Sequence, residues 1–324
     1  MPERKNDKVI DWLLEKENPS VRFFTLTKIK KYSPDSGEVQ ESRDLIMRSG
    51  PVPQILALQN SEGWWGNPEH ATMPMYTSTA WQLMVLAELG ASIEDHCIEK
   101  AVNFVFSHSQ DCNGAFPHEG VRWQKKSPMD LICNDAMIAW GLIGVGTPIA
   151  DQRMKLTIGF LANAIYQSDL VCRFNKGFPC AWGVVKALRV LSIIPEKDQT
   201  PKIVQAVNKA VEFILSYDLS KADFPTKPGG KVSGHWFKLG FPRSYQTDFF
   251  QTTKILVDLG HAKDKRIAPA VKYIRSKMLP DQTWPLEDTI HKTLIPFLKK
   301  SKRLPSKWTT WQALYILSEV EESK

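Results

Sequence analysis

Gln59-Asn-Ser-Glu-Gly63-Trp-Trp65 and Gln110-Asp-Cys-Asn-Gly114-Ala-Phe116 share one pattern: a glutamine, three residues, a glycine, one residue and an aromatic. A worn copy stands at Asp281-Gln-Thr-Trp284. Each full copy separates a stretch of helical periodicity from a loop that leads into another such stretch. Punctuation that recurs in this way predicts a stacked or closed repeat architecture. Within it the glutamine can serve orphan carbonyls at a helix end, the glycine permits the turn, and the aromatic can pack on the next repeat.

Outward from these motifs the chain alternates between two kinds of helical segment. Asp95 to Ser107, Asp151 to Gln167, Thr200 to Tyr217 and Asp264 to Met278 carry a single apolar stripe, as outer helices do. Thr77 to Leu89, Cys133 to Val145, Cys180 to Ile194, Tyr245 to Leu259 and Trp308 to Val320 are apolar nearly all round, as an inner ring requires. Ser20 to Lys31 adds a sixth inner segment, with outer partners near Lys5 to Lys16 or Glu38 to Leu58. The prediction is an all-α fold, a single (α/α)6 toroid over residues 1–324, with the repeat assignment of residues 1–50 the least defined. Gly90, Gly146 and Gly260 follow inner segments directly and suit the left-handed position after a helix.

Loop lengths are uneven. Connections from inner to outer segments are short, such as Gly90 to Glu94. Those from outer to inner are long, such as Asp218 to Ser244 and Leu279 to Lys307. Since neighbouring helices run in opposite directions, all the long loops gather on one rim, at the N-terminal ends of the inner helices. Long loops and positive helix-dipole ends make that rim the expected mouth of a cavity.

The inner segments open with Thr77-Ser-Thr, Cys133-Asn-Asp135, Cys180-Ala-Trp182 and Tyr245-Gln-Thr-Asp248, and the loops ahead of them carry His70, His118, His235 and His291. Cys133 and Cys180 start consecutive inner helices, whose axes pack about 8 to 10 Å apart, too far for an easy disulfide but suited to two thiolates on one ion. His118 or His235, with Asp135 or Asp248, would complete a tetrahedral set, and zinc is the ion that mixed S, N and O donors favour. The plain alternative makes the cysteines small core residues and Asp135 and Asp248 helix caps. Trp140 and Met137, one helical stripe below Cys133, are expected to wall a cavity, with Trp81, Trp182 and Trp236 as further aromatic lining.

The repeat motif resembles the glutamine-tryptophan motif of terpenoid cyclases and protein prenyltransferase β subunits, which share the α/α toroid. Closer still, Phe178-Pro-Cys180, Phe241-Pro-x-x-Tyr245-x-x-Asp248 and Trp284-Pro-Leu-Glu287 are similar to phrases in stand-alone squalene-cyclase-like repeat proteins, over about Leu45 to Val320. The resemblance implies an enzyme acting on a largely apolar, isoprenoid-like substrate, with zinc as a candidate cofactor. A non-catalytic lipid binder is the rival reading, and a carbohydrate-active toroid enlisting Glu69, Glu119 and Asp135 a third. Two departures matter. Prenyltransferases hold zinc with Asp-x-Cys, whereas Cys133-Asn-Asp135 runs in reverse. Class II cyclases protonate with an Asp-x-Asp-Asp box, of which Tyr245-Gln-Thr-Asp248 keeps only the final aspartate; Asp248, Asp135 and Tyr245 are the catalytic candidates that remain.

Composition narrows the field. With 324 residues and 43% hydrophobic content the chain can bury a large core. No apolar run reaches the roughly 20 residues that span a bilayer, and the N-terminal residues lack a signal-like apolar region, so a cytoplasmic location is expected. Five cysteines form no disulfide framework in a chain this long. The net charge of +7 comes largely from the last third, including Lys263, Lys265, Arg266, Lys272, Arg275, Lys277, Lys299, Lys300, Lys302 and Arg303. Such a run reads as a solvated face, with an anionic substrate or peripheral contact to a membrane surface as the other reading. Glycine-rich phosphate loops, zinc-finger spacing and nucleic-acid-binding modules are missing from the sequence, and no nucleic-acid partner is expected.

Overall fold

The computed structural model describes residues 5–69, 71–117, 127–226, 230–243, 245–289 and 301–322. Its helices are α1 (Lys5–Leu13), α2 (Pro19–Phe24, continued by a π-helical turn over Thr25–Ile29), α3 (Gly37–Arg48), α4 (Pro51–Leu56), α5 (Thr79–Glu88), α6 (His96–Ser109), α7 (Ile132–Gly144), α8 (Gln152–Gln167), α9 (Ala181–Leu191), α10 (Pro201–Leu215), α11 (Phe249–Asp258), α12 (Ala268–Ser276) and α13 (Lys307–Glu322). Two small antiparallel ribbons, β1 (Val171–Cys172) with β2 (Phe178–Pro179) and β3 (Pro285–Leu286) with β4 (Ser301–Pro305), lie in the long connections. No helix among the described residues is long and apolar enough to cross a membrane.

The fold is an all-α toroid. α5, α7, α9, α11 and α13 follow one another around an inner ring, and α13 packs back on α2. The Phe24 and Trp311 rings stack at 4.9 Å across that closure, and Gly90 at the end of α5 faces Phe23 and Phe24 from the other side. α3, α4, α6, α8, α10 and α12 make the outer layer. Inner helices are buried on nearly every face, as α5 shows from Thr79 to Ala87, whereas α10 buries only Ile203, Ala206, Ala210, Val211, Ile214 and Leu215. A helix apolar all round can only be stable inside such a shell. The predicted segments and the observed helices agree to within a few residues. The largest shift is at α11, which starts at Phe249 because the Asp248 side chain accepts the Gln251 N–H at 2.6 Å and caps the helix there, leaving Tyr245 in the loop.

The repeat motif has a specific mechanical job. The Gln59 side-chain amide donates to the Cys97 carbonyl at 2.8 Å and that of Gln110 to the Arg153 carbonyl at 2.7 Å, each in the first turn of the next outer helix. The glutamine therefore ties successive outer helices rather than capping its own. Each motif aromatic donates its backbone N–H to a side chain in the first turns of an inner helix: Trp65 to Thr79 at 3.0 Å, Phe116 to Asp135 at 2.7 Å, Trp284 to Thr310 at 2.9 Å. The indoles of Trp65 and Trp284 reach back to Ile55 and Ile274 carbonyls at 2.9 and 2.8 Å. Gly159, by contrast, lies exposed within α8 with open space beside it. Gly159→Ala is expected to stabilise the protein by about 0.5 to 1 kcal/mol through helix propensity alone, read as a shifted denaturant midpoint.

Candidate functional site

The short turns at the C-terminal ends of the inner helices leave that end of the ring open. A cavity of about 460 Å³ enters there, between Ala87–Ile93, Gly144–Gly146, Ser192–Ile193 and Asp258. The expected rim is the other end of the ring, and from that side the strap through Gly240, Phe241 and Arg243 crosses beneath this cavity and forms part of its lining. It is held there by Phe241 stacking on Trp308 at 4.3 Å and by the Phe241 N–H donating to the Asp288 carbonyl at 3.2 Å.

Charge and aromatic surface share this cavity. Lys28, Arg43, Arg189, Arg243 and Lys254 face Glu88, Glu94 and Asp258, five basic groups to three acidic. Part of that excess matches the negative ends of the inner-helix dipoles, which point to this rim. Trp140 lines the wall, with the Arg189 guanidinium 3.6 Å above its ring and its indole N–H donating to Glu88 at 3.2 Å. Arg189 pairs in turn with Glu88 at 2.5 Å. Also at the mouth, Asp258 accepts from Lys254 and from the Tyr315 hydroxyl, both at 2.7 Å. Burial and the Lys254 charge pull the Lys28 amine below its ordinary value. The indole N–H of Trp311, which lines the cavity beside Phe24, is buried and has no acceptor among the described residues.

Beneath the mouth lies a small chamber of about 10 Å³ touched by Met137, Trp140, Lys186, Arg189 and Arg243. Burial pushes the Lys186 amine down to about 8. A second, separate cavity of about 310 Å³ sits at the N-terminal rim, lined by Cys133, Cys172, Cys180, Phe174, Trp182 and Tyr245 among others. The Cys133 thiol and Tyr245 hydroxyl stand 4.0 Å apart, and Tyr245 meets Trp182 edge to face at 6.4 Å. Burial raises Cys133, and the nearby thiols raise Tyr245. Cys172 is held down to about 6, because the Cys180 thiol and the backbone N–H groups of Leu131, Phe174 and Asn175 donate to its sulfur against the upward push of burial.

The sequence candidates divide between these places. Cys133, Cys180, Tyr245 and Trp182 share the thiol cavity, while Trp140 and Met137 lie toward the axial one. Trp81 and Trp236 are corrections: both are fully buried in the core, their indole N–H groups bonded to the Thr72 and Leu219 carbonyls at 2.9 and 2.8 Å. Asp135 does the work of Thr79 and Thr310 in tying a motif aromatic to an inner helix, which needs only an acceptor at that position. Asp248 is a fully buried cap ion-paired with Arg243, not an acid presented to a substrate. His235 bonds Asp288 at 2.6 Å and does not line the thiol cavity; His118, His70, His291 and Glu119 lie outside the described residues. Among the described residues no three His, Cys, Asp or Glu side chains converge as a metal would need, and His118, one of the expected zinc ligands, lies outside those residues. Glu69 is exposed, far in character from the buried Asp135.

Missed in the sequence were Lys28, Glu88, Arg189, Lys254, Asp258 and Cys172. The signal for most of them was present: Glu88, Lys186, Arg189, Lys254 and Asp258 are charges set within inner helices that are otherwise apolar. Such charges are costly unless paired around a polar cavity.

No protein-family model matches the sequence, and no curated protein matches it. Among solved structures the chain is similar to the type II terpene cyclase MstE from Scytonema, determined in complex with its substrate geranylgeranyl dihydroxybenzoate. The two are 12% identical, over 97% of this chain and 79% of that one, with a TM-score of 0.44.

Proposed function

We propose that the axial cavity binds a small amphipathic molecule, isoprenoid-like in its body and anionic at its head. The observation that carries this is the pairing, in one cavity, of the Phe24–Trp311 stack and its partnerless indole N–H with the amines of Lys28 and Lys254. A volume of about 460 Å³ falls in the range of small-molecule sites. The stack offers an apolar face, the indole N–H asks for an acceptor, and the two lysines, both over the Tyr315 ring at 6.0 and 5.4 Å, supply charge. A wholly apolar hydrocarbon would leave the Trp311 indole N–H without an acceptor, at a cost of about 1 to 3 kcal/mol.

Conversion of the ligand is the second reading. What favours it is the chain Lys28, Asp258 and Tyr315, in which a lowered amine adjoins a carboxylate that accepts a phenolic proton donor at 2.7 Å. Burial and the Asp258 charge raise the Tyr315 hydroxyl, and against the upward push of burial cations lower Asp258, so Lys28 is the member of this chain suited to move a proton. Protonation of an alkene by a cyclase-type aspartic acid is not the favoured chemistry, since Glu88 and Asp258 are both engaged by cations and Asp248 is buried with Arg243.

Calorimetric titration distinguishes these possibilities. Farnesyl diphosphate is expected to bind at least tenfold more tightly than farnesol, and Lys28→Met with Lys254→Met together should bring the two within about threefold, the loss of charge-assisted bonds worth about 1.5 to 3 kcal/mol each. Equal affinity of diphosphate and alcohol for the unaltered protein would contradict the reading. Product formation followed by mass spectrometry in the same mixtures decides between binding and conversion.

A further inference from the structure

The thiol cavity at the N-terminal rim holds a second arrangement, independent of the axial site. β1 and β2 form a short hairpin in which Cys172 stands opposite Phe178 and the Cys180 N–H donates to the Leu170 carbonyl at 2.9 Å. Residues 170 and 172 share one face of that hairpin, and Cys180 lies across from Leu170 on the same face, which puts Cys172 and Cys180 together on one wall of the cavity they line. Cys180 also sits at the start of α9, where Gly183 leaves space beside its sulfur: a Cβ on Gly183 would lie 3.7 Å from it and 2.6 Å from the Ile132 side chain. All five cysteines are free thiols, and Cys172, Cys180 and Cys133 are the three that share this cavity.

The sulfur of Cys172 faces donors: the Cys180 thiol and the N–H groups of Leu131, Phe174 and Asn175. Two thiols on one wall of a cavity, one of them in surroundings that favour its ionised form, make the arrangement that exchanges disulfides. The surrounding walls, Phe174, Trp182, Phe224 and Val232 with Lys231 among them, are mainly apolar and line a cavity of about 310 Å³, open enough for a small organic disulfide.

We infer that Cys172 and Cys180 form a redox-active dithiol that reduces small organic disulfides in this cavity. The Cys172 thiolate attacks one sulfur of the disulfide RSSR, forming a mixed disulfide and releasing RS⁻. The Cys180 thiol gives its proton to that released thiolate, and the resulting Cys180 thiolate attacks the Cys172 sulfur and expels the second RS⁻, which takes up the proton that the Cys172 thiol had given to solvent on ionising. The protein thiols lose two electrons to become a Cys172–Cys180 disulfide, and RSSR gains them as two RSH. Cys133, whose thiol burial raises and which lies by the Tyr245 hydroxyl, takes no part.

The test treats the full-length protein with 2-hydroxyethyl disulfide at neutral pH and maps the cysteines by peptide mass spectrometry. The expected product is an internal Cys172–Cys180 disulfide. In Cys180→Ser, where a hydroxyl still donates to Cys172 but cannot resolve the adduct, a hydroxyethylthio group should accumulate on Cys172. In Cys180→Ala, which lacks the donor, that labelling should slow by about tenfold, since the thiolate population falls with the rise of its pKa. In Cys172→Ser, Cys180 should stay unlabelled over the same time. Labelling confined to the exposed Cys112, or a Cys133–Cys180 disulfide in place of the expected one, overturns the inference. So does reaction of the pair only after a chelator is added, which would assign the thiols to a bound cation. Circular dichroism of each variant confirms that the helical fold is intact.

Discussion

Replacing Arg243 by methionine should destabilise the protein by about 3 to 5 kcal/mol, the cost of leaving buried carboxylates without their cation. Arg243 is buried, and its guanidinium joins Asp248, the cap of α11, to Asp288 at 3.1 Å and to the Lys238 carbonyl at 2.9 Å. It lies against Gly240, where an added Cβ would fall 2.0 Å from the guanidinium carbon, so no other residue fits beneath it. One side chain thus anchors the strap that crosses beneath the axial cavity to the helix it precedes. Arg243→Lys should recover little, because a point charge cannot make the forked contacts. Urea unfolding followed by far-ultraviolet circular dichroism measures both variants, and a loss below about 1 kcal/mol would contradict the assignment. The effect is pH-dependent. Burial alone would raise Asp288, but His235 and Arg243 hold its carboxyl below the usual range. A lowered folded value contributes stability that is present above the unfolded value of about 3.9 and is lost as pH falls through the folded one. Burial raises the Asp248 carboxyl despite Arg243, so Asp248 takes up its proton before Asp288 does, and the gap between the natural protein and Arg243→Met should narrow progressively as pH falls.

Gly114→Ala is the second large effect. Gly114 has φ +85°, and a Cβ there would stand 2.3 Å from the Leu156 carbonyl carbon and 2.6 Å from the Thr157 backbone nitrogen, where α8 crosses the motif. Backbone cannot give way as a flexible side chain does, so α8 must shift, and the Thr157 hydroxyl loses its 2.8 Å bond to the Gly114 carbonyl. The left-handed conformation adds about 1 kcal/mol and the displaced contacts more, for an expected total of about 3 kcal/mol. Gly177→Ala is the matched control: its φ of +81° is similar, but open space surrounds it. A loss at Gly114 no greater than at Gly177 would show that the motif glycine serves the turn alone and not the close approach of the next helix.

Much of the fold was legible because its signals are local. Apolar periodicity separated inner from outer helices, and the spacing of Gln59, Gly63 and Trp65 marked where one repeat meets the next. The entry of the axial cavity from the C-terminal ends was not legible, since loop length says how much chain lies at a rim and nothing of whether it covers or frames the axis. Phe241 and Arg243 hold the strap beneath that cavity, through a stack on Trp308 and ion pairs with Asp248 and Asp288 that join residues far apart in sequence. The same limit separated the thiols. Cys133 and Cys180 were visible as matching helix starts, whereas Cys172 reaches Cys180 only through a two-residue ribbon too short to leave a strand pattern. Asp135 looked like an acid in a rim and proved to be an acceptor, because Thr79 and Thr310 hold the equivalent place in other repeats and show what the position requires.

The basic last third behaves in part as a solvated face. Arg266 is tied to Glu212 and Asp264, Arg275 to Glu321, and Lys277 to the half-buried Glu287. Exposed pairs of this kind are worth about 0 to 1 kcal/mol each and keep the outer helices soluble more than they fix the fold. The charges at the axial cavity differ from these in that Arg189 and Lys254 are half-buried and paired with Glu88 and Asp258, while Lys28 is exposed.

A crystal structure of the protein grown with farnesyl diphosphate tests the axial site most directly. The ligand should enter from the C-terminal ends of the inner helices, lay its isoprenoid chain along Phe24, Trp311 and Trp140, and set its diphosphate within hydrogen-bonding distance of Lys28 and Lys254. An empty axial cavity at saturating ligand, or density for the chain among Cys133, Trp182 and Tyr245 at the other rim, would contradict it.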